Sequence, residues 1–189
     1  MIVRLVGSEM CIRDSQDSLQ SFFYELVIFQ DTVYNRTFHI IREQLDTSYV
    51  DINDPGNAED DVVGAFRNGW GMFIINPNAE REQVIIQVPH PCDDFIAPYV
   101  ALDLFLQVDS YAFMINGAGR EVLWTGVGNF SNSKSLSDPS RYPYTVFQKF
   151  QENVTDPLIN TDPHYPLVFA VHSFDNNTCL LYTSDAADD

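Results

Sequence analysis

The run Val84 to Val88 (VIIQV) constrains the fold more than any other stretch of this chain. It is short, mostly β-branched and lacks polar alternation, which predicts a strand buried on both faces, as in a parallel sheet. After a loop at 89–94, Phe95 to Val108 reads as a helix. Val100, Leu104 and Val108 recur at four-residue steps, Ala101 and Phe105 thicken that face, and Pro98 is tolerated near a helix start. Tyr111 to Ile115 returns as a strand. A long Gly-, Ser- and Asn-rich loop, Asn116 to Tyr142, leads to a second helix over Tyr144 to Val154. A loop over 156–166 then precedes an apolar strand, Leu167 to Val171. This β-α-β-loop-α-β order predicts an α/β domain, its sheet mostly parallel or mixed, flanked by helices and joined by right-handed crossovers. Upstream, WGMFII at 70–75 reads as a strand ended by Asn76-Pro77-Asn78, and 46–61 reads as a polar loop with an Asp-Pro-Gly turn. Over 16–45 the apolar segments FFYELVIF and TFHIIREQL admit helix and strand readings alike.

The two ends set the limits of that domain. Glu9 to Asp14 (EMCIRD) resembles a translated transposon-end sequencing adapter, and Cys179 to Ser184 (CLLYTS) resembles its reverse complement shifted by one base. Residues 1–15 and 179–189 are therefore expected to be adapter-derived, leaving 16–178 as a single α/β domain, a fragment truncated at its C-terminal side. Cys11 and Cys179 go with the ends, so Cys92 is the one native cysteine; no disulfide framework is expected and the compartment is left open. The whole chain has 10 basic and 27 acidic residues. Setting aside Arg4, Arg13, Glu9, Asp14, Asp185, Asp188 and Asp189 leaves 8 and 22, a net charge of −14. Such a surface repels nucleic acid and anionic membranes, so neither is expected as a partner. No apolar run approaches the roughly 18 residues of a membrane span. Sequons at Asn35, Asn129, Asn153 and Asn176 are as frequent as Asn and Ser/Thr content makes them by chance.

Polar residues collect where this topology places a site. His90 and Asp93 follow the strand 84–88, Arg120 follows the strand 111–115, and His172 ends the strand 167–171. In open α/β sheets ligands bind beyond the C-terminal ends of the strands. His90 and Asp93 stand as His-x-x-Asp in a proline-flanked turn, which aims an imidazole and a carboxylate at one point. With His172 they make two imidazoles and a carboxylate with an open fourth position, the donor set of a catalytic zinc site; iron or manganese would also accept it. Asp94 is an alternative ligand to Asp93, or an orienting group behind a ligand histidine. Against this stand blander roles: His90 capping a backbone group, His172 as a satisfied histidine at a strand end, Arg120 in an ordinary salt bridge. As a working residue, Arg120, in the glycine-rich Gly117-Ala-Gly-Arg120, would clamp a carboxylate. Arg141 is a weaker candidate for that role. Cys92 is expected as a buried thiol, Trp70 and Trp124 as packing, and His39 and His164 as surface or packing residues.

These elements resemble zinc carboxypeptidases and related deacylases, which carry His-x-x-Glu after one strand and a later histidine at the end of another. Here His90-Pro-Cys-Asp93 and Val171-His172-Ser173-Phe174 take those places, with Asp for Glu. The likeness is closer to uncharacterised bacterial relatives of the N-formylglutamate amidohydrolases, through Pro89-His90-Pro91, Gly117 to Arg120 and Val171 to Phe174, over about residues 64–175. The resemblance implies a zinc-carboxypeptidase-like fold, one zinc ion, and hydrolysis of an amide or peptide bond in a small or peptide substrate bearing a carboxylate. It also implies a catalytic glutamate on a later strand, expected to be lost with the truncated C-terminal side; that role is carried onto no residue present, and Asp94 and Glu121 are only local candidates for a base. The rival expectations are a non-catalytic α/β binding or structural module, with the three ligands apart, and an inactive piece of such an enzyme.

Overall fold

The computed structural model describes residues 18–50, 63–120, 136–159 and 166–173. The chain opens with a hairpin of β1 (Tyr24–Asp31) and β2 (Arg36–Glu43), paired from Tyr24↔Glu43 to Asp31↔Arg36. The competition between helix and strand in this region is thus won by strand. Both segments are rich in aromatic and β-branched residues, and Tyr24, Leu26 and Phe38 turn inward at strand spacing. Asp31 fixes the turn by accepting hydrogen bonds from the backbone N–H of Val33 (2.8 Å) and Tyr34 (3.3 Å).

β3 (Leu45–Val50) and β4 (Val63–Phe66) form a separate antiparallel pair. Residues 46–50, expected as loop, are therefore strand, because β4, paired from Leu45↔Phe66 to Val50↔Val63, supplies across the intervening segment the pairing that local polarity conceals. The expected Asp54-Pro55-Gly56 turn lies outside the described residues.

The rest builds the main sheet: β5 (Met72–Ile75), β6 (Arg81–Val88), α1 (Ala97–Val108), β7 (Ser110–Ile115), α2 (Val146–Ile159) and β8 (Leu167–Ala170). Its six strands run in the order β1-β2-β5-β7-β6-β8. β6 pairs in parallel with β7 and β8, whereas β1, β2, β5 and β7 pair antiparallel in succession. The molecule is an α/β structure with a mixed open sheet. β7 enters between β5 and β6. The turn joining those two strands is pinned to it by Asn76 N–H to the Tyr111 carbonyl (2.8 Å) and Arg81 N–H to the Asp109 carbonyl (3.1 Å).

Burial of β6 on both faces, expected from its composition, is observed. Val84, Ile86 and Val88 face α1 together with Phe38, Ile74 and Phe113; Ile85 faces α2 together with Tyr24, Phe73, Ala112 and Met114. Ile85 and Ile86 are essentially inaccessible to solvent, and full burial of such a side chain is worth about 1.5–3 kcal/mol. The stripe that α1 presents to the sheet is Ala97, Ala101 and Phe105, with Leu104 and Val108 at its margin. Val100, expected in the stripe, is exposed. Close approach of a helix to a sheet favours the small alanines, so size displaces hydrophobicity as the determinant of which face docks. α2 begins with the Thr145 hydroxyl accepting from Gln148 N–H (3.1 Å) and docks through Phe147, Phe150, Val154 and Leu158. It continues past the expected end at Val154, taking Pro157 into its last turns.

α1 and α2 thus lie on opposite faces and lead to strands on opposite sides of β6. The C-terminal end of β6 is the switch point of the sheet, where α/β folds open a crevice for ligands.

Candidate metal centre

The site is assembled at that crevice. β7 and β8 each stay joined to β6 at its end: Asn116 N–H donates to the Val88 carbonyl (3.0 Å) and Val171 N–H to the Gln87 carbonyl (2.9 Å). His172 is thereby brought beside the turn that follows Val88. In that turn the His90 carbonyl accepts from Asp93 N–H (3.2 Å) and Asp94 N–H (2.8 Å), which folds the chain back on itself after the histidine.

Burial separates the two acids. Asp94 is inside, with its Oδ2 2.7 Å from His172 Nδ1, and its Oδ1 accepts from the Ser173 hydroxyl (3.2 Å). Asp93 is outside, where its Oδ2 accepts from Arg120 Nε at 2.9 Å. His90, Asp94 and His172 each offer a ligand atom, all within 4.8 Å of one another, and the two imidazole centroids are 5.3 Å apart. Two of the three expected ligands, His90 and His172, are therefore brought together. The acid that joins them is Asp94, and Asp93 forms an ion pair instead, because the Arg120 guanidinium draws the outer carboxylate to the surface.

The sequence did not single out Asp138. It is almost wholly buried, and its Oδ1 lies 2.9 Å from His90 Nε2 while also accepting from Ser140 N–H (2.9 Å). An ionised carboxylate only accepts, so this contact favours the tautomer with the proton on Nε2, which in the neutral imidazole leaves the lone pair on Nδ1. His90 Nδ1 is buried and has no hydrogen-bond partner among the described residues. A buried nitrogen left unpaired costs about 1–3 kcal/mol, and a cation held with Asp94 and His172 would relieve it, as would a hydrogen-bond donor. Carboxylate–histidine pairs behind a metal do this work, fixing the tautomer and raising the basicity of the ligand. The Ser140 hydroxyl is 3.2 Å from the same Nε2, so Asp138, His90 and Ser140 do not form a relay, which requires serine and carboxylate on opposite ring nitrogens. Asp138 stands in Ser137-Asp-Pro-Ser-Arg141, whose arginine is the residue expected to act; Arg141 Nε is 3.5 Å from Asp138 Oδ2.

Charge in the crevice is mainly negative, which favours a cation. Partial burial lowers the pKa of Arg120, but the hydrogen bond to Asp93 and the charges of Asp93, Asp94 and Asp138 outweigh it, and the net direction is upward. Arg120 is a fixed positive charge at the rim. Cys92, expected as a buried thiol, is exposed. Trp70 packs as expected, stacked on Tyr24 with centroids 6.1 Å apart. His39 is partly buried within β2 and remote from this cluster in the sheet. Trp124, Glu121 and His164 lie outside the described residues.

No family model, curated protein or solved structure matches the chain. The donor set therefore carries the functional reading. His90, Asp94 and His172 can hold a metal ion.

Proposed function

We propose that this chain is a metal-dependent hydrolase of amide or peptide bonds, with a zinc-carboxypeptidase-like arrangement and one zinc ion held by His90, Asp94 and His172. The observation that carries the proposal is the convergence of these three groups from two strand ends, with the buried Nδ1 of His90 unpaired among the described residues. Two imidazoles and one carboxylate leave a coordination position open, the pattern of catalytic rather than structural zinc. Zinc in such a site polarises a carbonyl and lowers the pKa of water to about 7. The protein's own part is to hold and orient. Asp138 locks the tautomer of His90, and Ser173 steadies Asp94. Arg120, at the rim, exchanges Asp93 for the carboxylate of a small-molecule or peptide substrate and so sets the scissile bond over the crevice.

Metal analysis of the purified chain tests this. One zinc per chain is expected, lost in His90→Ala and Asp94→Ala and retained in Asp93→Ala. A zinc-free protein that takes up none on titration refutes the proposal. So does equal metal content in the wild type and His90→Ala.

A second reading is supported by the 2.7 Å contact of His172 with Asp94, which leaves the exposed side of the imidazole available as a base without a metal. Hydrolysis that survives chelation and disappears in His172→Ala would favour it.

A further inference from the structure

A cavity of about 230 Å³ lies on the α2 side of the same sheet edge, walled by Trp70, Tyr142, Tyr144, Phe147, Asn116 and Ala118. Beside it, at Gly69, backbone is packed closely on backbone. Gly69 and Gly71 have φ of +63° and +98°, and a Cβ on Gly71 would fall 2.0 Å from the Ile115 carbonyl oxygen. A Cβ on Gly117 would fall 2.5 Å from Gly71 N and 2.8 Å from the Gly69 carbonyl. Side chains are thus excluded from that backbone contact, and Trp70, Tyr142, Tyr144 and Phe147 contribute rings to the cavity wall. Those rings are held in place: Trp70 stacks on Tyr24, Tyr142 meets Tyr144 edge-on at 5.5 Å, and Phe147 is buried in the core.

The cavity shares a wall with the metal centre. Asn116 donates from its backbone to Val88, two residues before His90, and its side chain donates to the Ser137 carbonyl (3.2 Å). Ser137 also lines the cavity and immediately precedes Asp138, whose carboxylate holds His90. Asn116 and Ser137 thus tie the cavity wall to the segments that carry His90 and Asp138.

We propose that this cavity is the specificity pocket, and that it takes a single aromatic ring on the acyl side of the substrate amide. Size and surface both argue for a ring. An apolar cavity of about 150 Å³ accommodates benzene, so this one holds a ring with a short attachment. Aromatic walls offer edge-to-face and offset contacts that an alkyl chain would not use. Placement of the ring on the acyl side rests on the hydrolase reading, with Arg120 taking the carboxylate at the other end; binding of a ring in the cavity does not depend on it.

The test compares N-benzoylglycine with N-acetylglycine, titrated into the full chain with and without added zinc and followed by ligand-observed NMR. Burial of the ring makes the benzoyl compound bind about tenfold or more tightly than the acetyl compound. Ala118→Leu, which fills the cavity, and Tyr144→Ala, which removes part of its wall, each erase most of that preference without changing zinc content. Tyr144 is exposed, so its truncation leaves the core intact even if Ala118→Leu disturbs folding. Equal binding of the two compounds, or a preference that survives both variants, overturns the pocket assignment. A ring preference that persists in a chain unable to bind zinc supports the pocket while refuting the metal reading.

Discussion

Asp138→Asn separates positioning of the metal ligand from folding. The substitution keeps shape and keeps an oxygen for the Ser140 N–H, so the turn over 138–141 retains its cap. It removes the buried carboxylate 2.9 Å from His90 Nε2, the group that fixes the proton on that nitrogen and leaves Nδ1 free to ligate. Loss of such a partner behind a ligand histidine costs about 10–100-fold in metal affinity, or about 1.4–2.8 kcal/mol. Zinc affinity, measured by competition with a chromophoric chelator, should fall by that factor in Asp138→Asn. Thermal melting of the metal-free variant should stay close to that of the metal-free wild type. Asp138→Ala should lose the affinity and also melt lower, since it leaves Nε2 only the longer Ser140 contact and removes the acceptor of the Ser140 N–H, at a cost of about 1–3 kcal/mol. Unchanged zinc affinity in a folded Asp138→Asn protein would refute the argument that this carboxylate prepares His90 for a metal.

His39 is desolvated in β2, which lowers its pKa from the ordinary 6.5. The unfolded chain therefore binds the proton more readily, and stability falls as pH drops below about 6.5 until the folded-state pKa is passed. Denaturant titrations should show His39→Phe to have a flatter acid limb across that window; an identical limb would count against the desolvation argument. Gly71→Ala should prevent folding or cost more than the roughly 1–3 kcal/mol of a strained backbone residue, because the added carbon also strikes the Ile115 carbonyl; a wild-type melting curve would contradict that packing. On α1, Val100→Lys should change stability by less than about 0.5 kcal/mol, whereas Ala101→Lys should be severely destabilising because it drives a charge into the helix–sheet interface. Equal effects would mean that the docking face is misassigned.

Much of this architecture was legible because β6, β7, β8 and the two helices carry their signals locally. VIIQV could only be a doubly buried strand, and apolar periodicity located α1 and α2 to within a few residues. The hairpin β1–β2 was ambiguous because aromatic and β-branched residues fit either period when the partner strand is unknown. β3 was hidden for the same reason, since its pairing with β4 is non-local. Within the site, strand-end reasoning gathered His90 and His172 from residues 82 apart. Spacing could not choose between Asp93 and Asp94. The choice depends on which carboxylate Arg120 captures, and that is a tertiary fact. Asp138 was illegible because it follows a long loop whose path no local pattern dictates.

Insertion of β7 between β5 and β6, with β8 arriving last on the far side, has a consequence for how the molecule is made. As the chain leaves the ribosome, VIIQV emerges with both of its hydrogen-bonding edges bare, and its final neighbour is not synthesised until about 80 residues later. A short, uncharged, β-branched segment in that state is a template for aberrant pairing between molecules. The same delay keeps His90 and Asp94 from acquiring their third companion until β8 has been made, so a metal would be captured only by a sheet already closed around β6.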